Sequence, residues 1–141
     1  MHQSTTSGLA LVPLLRCANY CASKAALHHY ILCLREQLKG SNVSVVELFP
    51  PAVQSMLPEW SLKSILNRPV AELHDAKHQP DIKDGGNIGM PLAQFTDEAY
   101  EGLAAGKEEV AVGGAKSWYE AFEPKRQQIF HGMIKAMSGV T

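Results

Sequence analysis

The sequence predicts an α/β fold built on a parallel sheet, and three observations carry that prediction. A long helical pattern runs from Arg16 to Leu38, an apolar β-branched stretch follows after a short turn, and a second short strand is flanked by helical patterns. With 45% of its 141 residues hydrophobic, the chain is long and apolar enough to bury one core.

In the first helix Ala22, Ala25, Ala26, Leu27, Tyr30, Ile31, Leu34 and Leu38 recur at steps of three and four, and Lys39-Gly40 supplies the stop. The turn Gly40-Ser41-Asn42 leads into Val43 to Phe49, which Pro50-Pro51 closes. A helix feeding a buried strand points to a parallel sheet. Leu57 to Asn67 reads as a short helix ended by Pro69. His74 to Gly89, rich in Asp, Pro and Gly, reads as a loop long enough to act as a lid. Pro91 to Ala105 is helical with proline in its first turn, Glu109 to Val112 is the second strand, and Ala115 to Met137 is mainly helical around Pro124. Only two strands are legible. Two strands do not make a stable sheet, so the pattern reads as the second half of a larger one.

Composition narrows the function. The formal net charge is -1, with 13 Lys and Arg against 14 Asp and Glu and no basic run, which disfavours nucleic acid as a partner. Apolar runs such as Leu9 to Leu15 fall far short of a membrane span, and the first residues do not open a signal peptide. Cys17, Cys21 and Cys33 are an odd number clustered in one segment, as expected of reduced thiols. A cytoplasmic protein is the expectation.

One residue set carries chemistry. Tyr20 and Lys24 are four apart on the first helix, so they share a face on which an ammonium favours the phenolate. A tyrosine placed in this way can act as general acid or base. Ser7 lies 13 residues before Tyr20, and its hydroxyl can donate to an oxygen on which charge develops. With four Tyr and nine Lys, chance would supply the Tyr–Lys step in about a quarter of shuffled chains; requiring a serine at that distance lowers the expectation to roughly 0.02. The plain alternatives are a solvated lysine and a turn-forming Ser-Gly. His28 and His29 point about 100° apart on the helix, and the cysteines lack a second ligand pair, so no metal site is expected. Trp118, Tyr119, Phe122 and Phe130 recur at helical spacing and read as core or subunit contact.

Ser7-Gly8, Pro13, the run Tyr20-Cys21-Ala22-Ser23-Lys24-Ala25-Ala26, and Phe49-Pro50-Pro51-Ala52-Val53-Gln54-Ser55 together resemble the short-chain dehydrogenase/reductase family. The resemblance implies a partial, doubly wound Rossmann-like fold and hydride transfer between NAD or NADP, with NADP slightly preferred, and a small hydrophobic carbonyl or alcohol. It implies Tyr20 as proton donor or acceptor, Lys24 as the group that lowers its pKa and holds the nicotinamide ribose, and Ser7 as the substrate's hydrogen-bond partner. Val53 and Ser55 would contact the carboxamide side of the nicotinamide. The chain departs from the family at Pro51, usually glycine, and at Ser55, often threonine. The family's glycine-rich turn and the asparagine of its catalytic set have no match before Ser7, and Gly85-Gly86-Asn87-Ile88-Gly89 follows no strand. The expectation is therefore one carboxyl-terminal half domain over 1–141, inactive alone, with homodimer pairing through helix 16–38; for Met56, Leu57, Trp60 and Ile65 packing against the core is the default reading, and lining a hydrophobic substrate pocket, as this region does in the family, is the other. The alternative is a non-catalytic remnant serving as an interaction module.

Overall fold

The computed structural model describes residues 2–54 and 89–139. They fall into two compact units, Met1–Pro51 with Glu98–Thr141, and Ala52–Asp97.

The first unit is built on a sheet of three parallel strands in the order β1 (His2–Thr5), β2 (Val45–Phe49), β3 (Glu109–Ala111). Val45 and Val46 begin the central strand, and all five of its residues are buried, as a strand covered on both faces requires. Register runs His2 to Val45 through Thr5 to Leu48 on one side and Glu47 to Glu109 through Phe49 to Ala111 on the other. Backbone bonds prolong the ladder past the strand ends: Thr6 N–H to the Leu48 carbonyl at 2.9 Å, Gly8 N–H to that of Pro50 at 2.9 Å, and Val112 N–H to that of Phe49 at 3.2 Å.

The two-strand expectation is corrected here. His2–Thr5 is polar and mostly exposed, so no alternation marks it; its pairing with β2 makes it a strand.

Two short 3₁₀ turns, Gly8–Ala10 and Leu15–Cys17, connect β1 to α1 (Ala18–Gln37). The helix therefore begins two residues later than its periodicity predicts and still carries Tyr20 and Lys24 in its first turns. It closes through Leu38, and Gly40 takes φ 88°, a left-handed conformation that glycine adopts without strain. α1 buries Cys21, His28, Ile31 and Leu32. Ala22, Ala26 and Tyr30 stay exposed, so the apolar periodicity marks the helix but only partly its inner face.

The helix α2 (Leu92–Ala104) presses Gly102 onto β3, where an added Cβ would lie 2.5 Å from Val110 Cγ1. The last helix, α3 (Ala115–Ser138), runs through Pro124, whose missing N–H leaves the Glu120 carbonyl without its helical partner. At its start the Glu98 carboxylate accepts from Gly113 N–H at 3.3 Å and pairs with Lys116 at 2.5 Å, supplying negative charge where the helix dipole favours it. The core centres on Leu11, Phe49 and Ala115, with Trp118 and Tyr119 packed against it; Phe122 is exposed.

In the second unit Val53 forms a parallel bridge with Met90. Met90 N–H donates to the Ala52 carbonyl at 2.8 Å, and Gln54 N–H to that of Met90 at 2.9 Å. The expected helix 57–67, its pocket residues and all of the expected loop 74–89 except Gly89 lie outside the described residues. No helix among those described is long and apolar enough to cross a membrane.

Candidate active site

The carboxyl ends of β1 and β2 lie side by side, and Thr5 ends β1 there with Thr6 and Ser7 following. Ser7 holds extended backbone (φ −170°, ψ 154°) and caps the first 3₁₀ turn, its Oγ accepting from Leu9 N–H at 3.1 Å. That bond uses an acceptor site of the hydroxyl and leaves its proton available for another oxygen. Gly8 must follow, because a Cβ there would sit 2.9 Å from Ala115 Cβ and 3.2 Å from the Trp118 ring. The close approach of α3 thus fixes the backbone next to Ser7.

Tyr20 and Lys24 project from the first turns of α1. Lys24 Nζ donates to the Thr5 carbonyl at 3.0 Å and lies 5.6 Å from the centre of the Tyr20 ring, inside the range of a cation–π attraction. The ammonium is thereby tied to the strand end that carries Ser7 two residues on. One of its three N–H groups is committed to Thr5, which leaves donors on the same nitrogen for another acceptor. The Tyr20 side is 45% exposed, and among the described residues its hydroxyl has no hydrogen bond, which leaves it open to an incoming ligand. A phenol beside an ammonium, and a serine hydroxyl two residues beyond the carbonyl that the ammonium binds, are groups whose chemistry can orient and protonate a carbonyl oxygen, or take the proton of an alcohol.

Val53 is half-buried in the second unit, and Ser55 lies outside the described residues. Beside Leu9, Leu14 and Cys21 an apolar groove of about 500 Å³ runs along α1. A larger cavity of about 830 Å³ opens at the amino ends of β2 and β3 around Arg35, Val45 and Glu109, away from Ser7, and holds none of the expected site residues. No cluster of metal-ligating side chains occurs among the described residues.

A buried ionic cluster escaped the sequence reading. His28 Nδ1 lies 3.0 and 3.1 Å from the two Glu47 oxygens, and Nε2 lies 3.0 Å from Glu123 Oε2, all three side chains being 0% exposed. Burial alone lowers the imidazole pKa, but the facing Glu123 and Glu47 carboxylates outweigh it and hold it at about 9. With a carboxylate at each nitrogen, the ring is a doubly protonated imidazolium. The signal available was Glu47, a carboxylate inside an otherwise apolar strand.

Comparison with known proteins bears on the same segment. Residues 4–62 match the family model described as short chain dehydrogenase. The segment spans Ser7, Tyr20, Lys24, Val53 and Ser55, and proteins of the short-chain dehydrogenase type generally bind NAD or NADP. Over 56 residues the chain is 50% identical to the uncharacterized oxidoreductase DltE of Bacillus subtilis (strain 168), an alignment covering 40% of this chain and 22% of that protein. No solved structure matches the chain.

Proposed function

We propose that this chain supplies the proton-transfer side of an NAD(P)-dependent oxidoreductase acting on a small hydrophobic carbonyl or alcohol. The observation that carries the reading is the Lys24 anchor: one ammonium joins the helix bearing Tyr20 to the strand end bearing Ser7. In reduction, Ser7 donates a hydrogen bond to the substrate oxygen and Tyr20 gives it a proton; in oxidation Tyr20 takes the alcohol proton. Lys24 favours the phenolate that results and offers donors to the ribose. A bound nicotinamide supplies or accepts the hydride at the carbon. Val53 and Ser55 would face its carboxamide, NADP is the first cofactor to test, and the cytoplasm is the proposed compartment.

In this reading the chain is the carboxyl-terminal half of a Rossmann-like domain, and a cofactor-binding half completes the site. A second reading, an interaction module pairing two copies through α1, is favoured by the exposed Ala22, Ala26 and Tyr30 and by the adjoining groove.

The test titrates NADPH and NADH by fluorescence into the purified chain, alone and with a short-chain dehydrogenase cofactor-binding half supplied in trans. A panel of aldehydes and ketones then measures turnover. Binding and reduction are expected in the completed form, with Tyr20→Phe lowering turnover by about 10²–10⁴-fold. Absence of cofactor binding in both arrangements, or turnover indifferent to Tyr20→Phe, would overturn the proposal in favour of the pairing module.

A further inference from the structure

The proposed proton transfer does not use the buried cluster, yet the cluster is wired to the same strand end. Thr6 Oγ1 donates to Glu47 Oε1 at 2.8 Å; Glu47 holds one face of His28, and Glu123, itself paired with Arg126, holds the other. Arg35 Nη2 stands 4.0 Å from the second Glu47 oxygen. His28 comes four residues after Lys24, which comes four after Tyr20, so the three form one stripe along α1. Thr5, Thr6 and Ser7 are consecutive. Thr5 takes the Lys24 ammonium on its carbonyl, Thr6 reaches the cluster through its hydroxyl, and Ser7 offers the third contact.

We infer that His28 is a positioning residue for the Tyr20, Lys24 and Ser7 set: clamped between Glu47 and Glu123, it fixes the axial register of α1 against the carboxyl end of β1. The inference rests on the reading of those three residues as the reacting set.

Packing alone does not account for the cluster. Removing ions from water is costly, and a well-packed apolar trio of similar volume is commonly as stable or more so. Apolar contact, however, is non-directional, so it tolerates a small slide of one element past another. Hydrogen bonds from two ring nitrogens to carboxylates on a strand and on a second helix do not, because they weaken steeply with angle. A slide by one residue would move α1 by about 1.5 Å, and a misplacement of about 1 Å can lower a rate by roughly 10²-fold.

The experiment compares three proteins with the wild type: the triple variant His28→Leu/Glu47→Leu/Glu123→Leu, the single Glu123→Leu, and Glu123→Gln, which keeps an acceptor for Nε2–H. Each is read by thermal melting, by NMR contacts between the Lys24 side chain and Thr5 with amide shifts at Thr5 to Ser7, and by kcat and KM in the cofactor-completed enzyme. The triple variant is expected to stay folded while losing the Lys24–Thr5 contact pattern and about 10²-fold in kcat, with the cofactor KM within about threefold. Glu123→Leu should do the same in part, and Glu123→Gln should restore the wild-type contacts and kcat. Should the triple variant fail to fold, the Glu123→Leu and Glu123→Gln pair decides. Wild-type contacts and kcat in every folded variant would overturn the inference. The NMR arm needs no turnover, so an inactive wild type with contacts that shift in the variants would count against the proposed reaction and in favour of the register role.

Discussion

Raising the pH from 6.5 to 10 should cost the first unit much of its stability, because the His28 imidazolium is held by two buried carboxylates. The ordinary imidazole titrates near 6.5, and in the fold His28 titrates at about 9, burial being outweighed by Glu123 and Glu47. A folded midpoint above the unfolded one means that the stabilisation is fully present below pH 6.5 and is lost as the pH rises through 9. The gap between the two midpoints is equivalent to about 3 kcal/mol. For a chain of this size that is roughly 10 °C in melting temperature. Tyr119, raised by burial and by Glu109, holds its proton through this window. Melting followed by circular dichroism at half-unit pH steps would give the curve, with the triple leucine variant as the flat reference. A wild-type melting temperature that stays level from pH 6.5 to 10, or a variant that falls in parallel, would refute the reasoning.

Other perturbations have defined outcomes. Gly102→Ala should destabilise by about 1–3 kcal/mol, since its Cβ would meet Val110 Cγ1 at 2.5 Å, whereas Gly132→Ala, with nothing within 4 Å, should gain up to about 1 kcal/mol of helix propensity; paired thermal melts would separate them. Arg35→Met should cost about 2–3 kcal/mol in urea unfolding, because Arg35 donates to the Val45 carbonyl at 3.0 Å and the Glu108 carbonyl at 2.7 Å and pairs with Glu109, tying β2 to β3. In a thiol-reagent time course, exposed Cys33 should react first. Cys17, whose thiol pKa is raised by burial and by Cys21, should follow, and buried Cys21 should react only on unfolding.

The elements legible in the sequence were those whose local signals agree with their surroundings. α1, β2, β3 and α3 each carry a periodic or β-branched pattern, with a clear stop after α1 and β2, and each occurs within a few residues of its expected bounds. β1 was illegible because His-Gln-Ser-Thr has no strand pattern of its own and depends on hydrogen bonds to residues more than 40 positions away. The Tyr20 and Lys24 step was visible because a helix converts spacing directly into proximity. That Lys24 reaches back to Thr5 was not, since the contact depends on how the helix docks on the sheet. His28 was judged by whether it could hold a metal with its neighbour His29, whereas its partners come from a strand and a distant helix. The proline in α3 and the glutamate in β2 each broke a local rule, and the second marked the buried cluster.

The close spacing of Thr5, Thr6 and Ser7 has a consequence for how this protein can vary. Three successive residues engage three different partners, and in extended chain successive side chains point to opposite faces, so a deletion or insertion of one residue here would hand every contact to the wrong neighbour at once. Substitutions that keep a hydroxyl at Thr6 and Ser7 leave these contacts standing, but the length of this strand end is locked like the pitch of a gear.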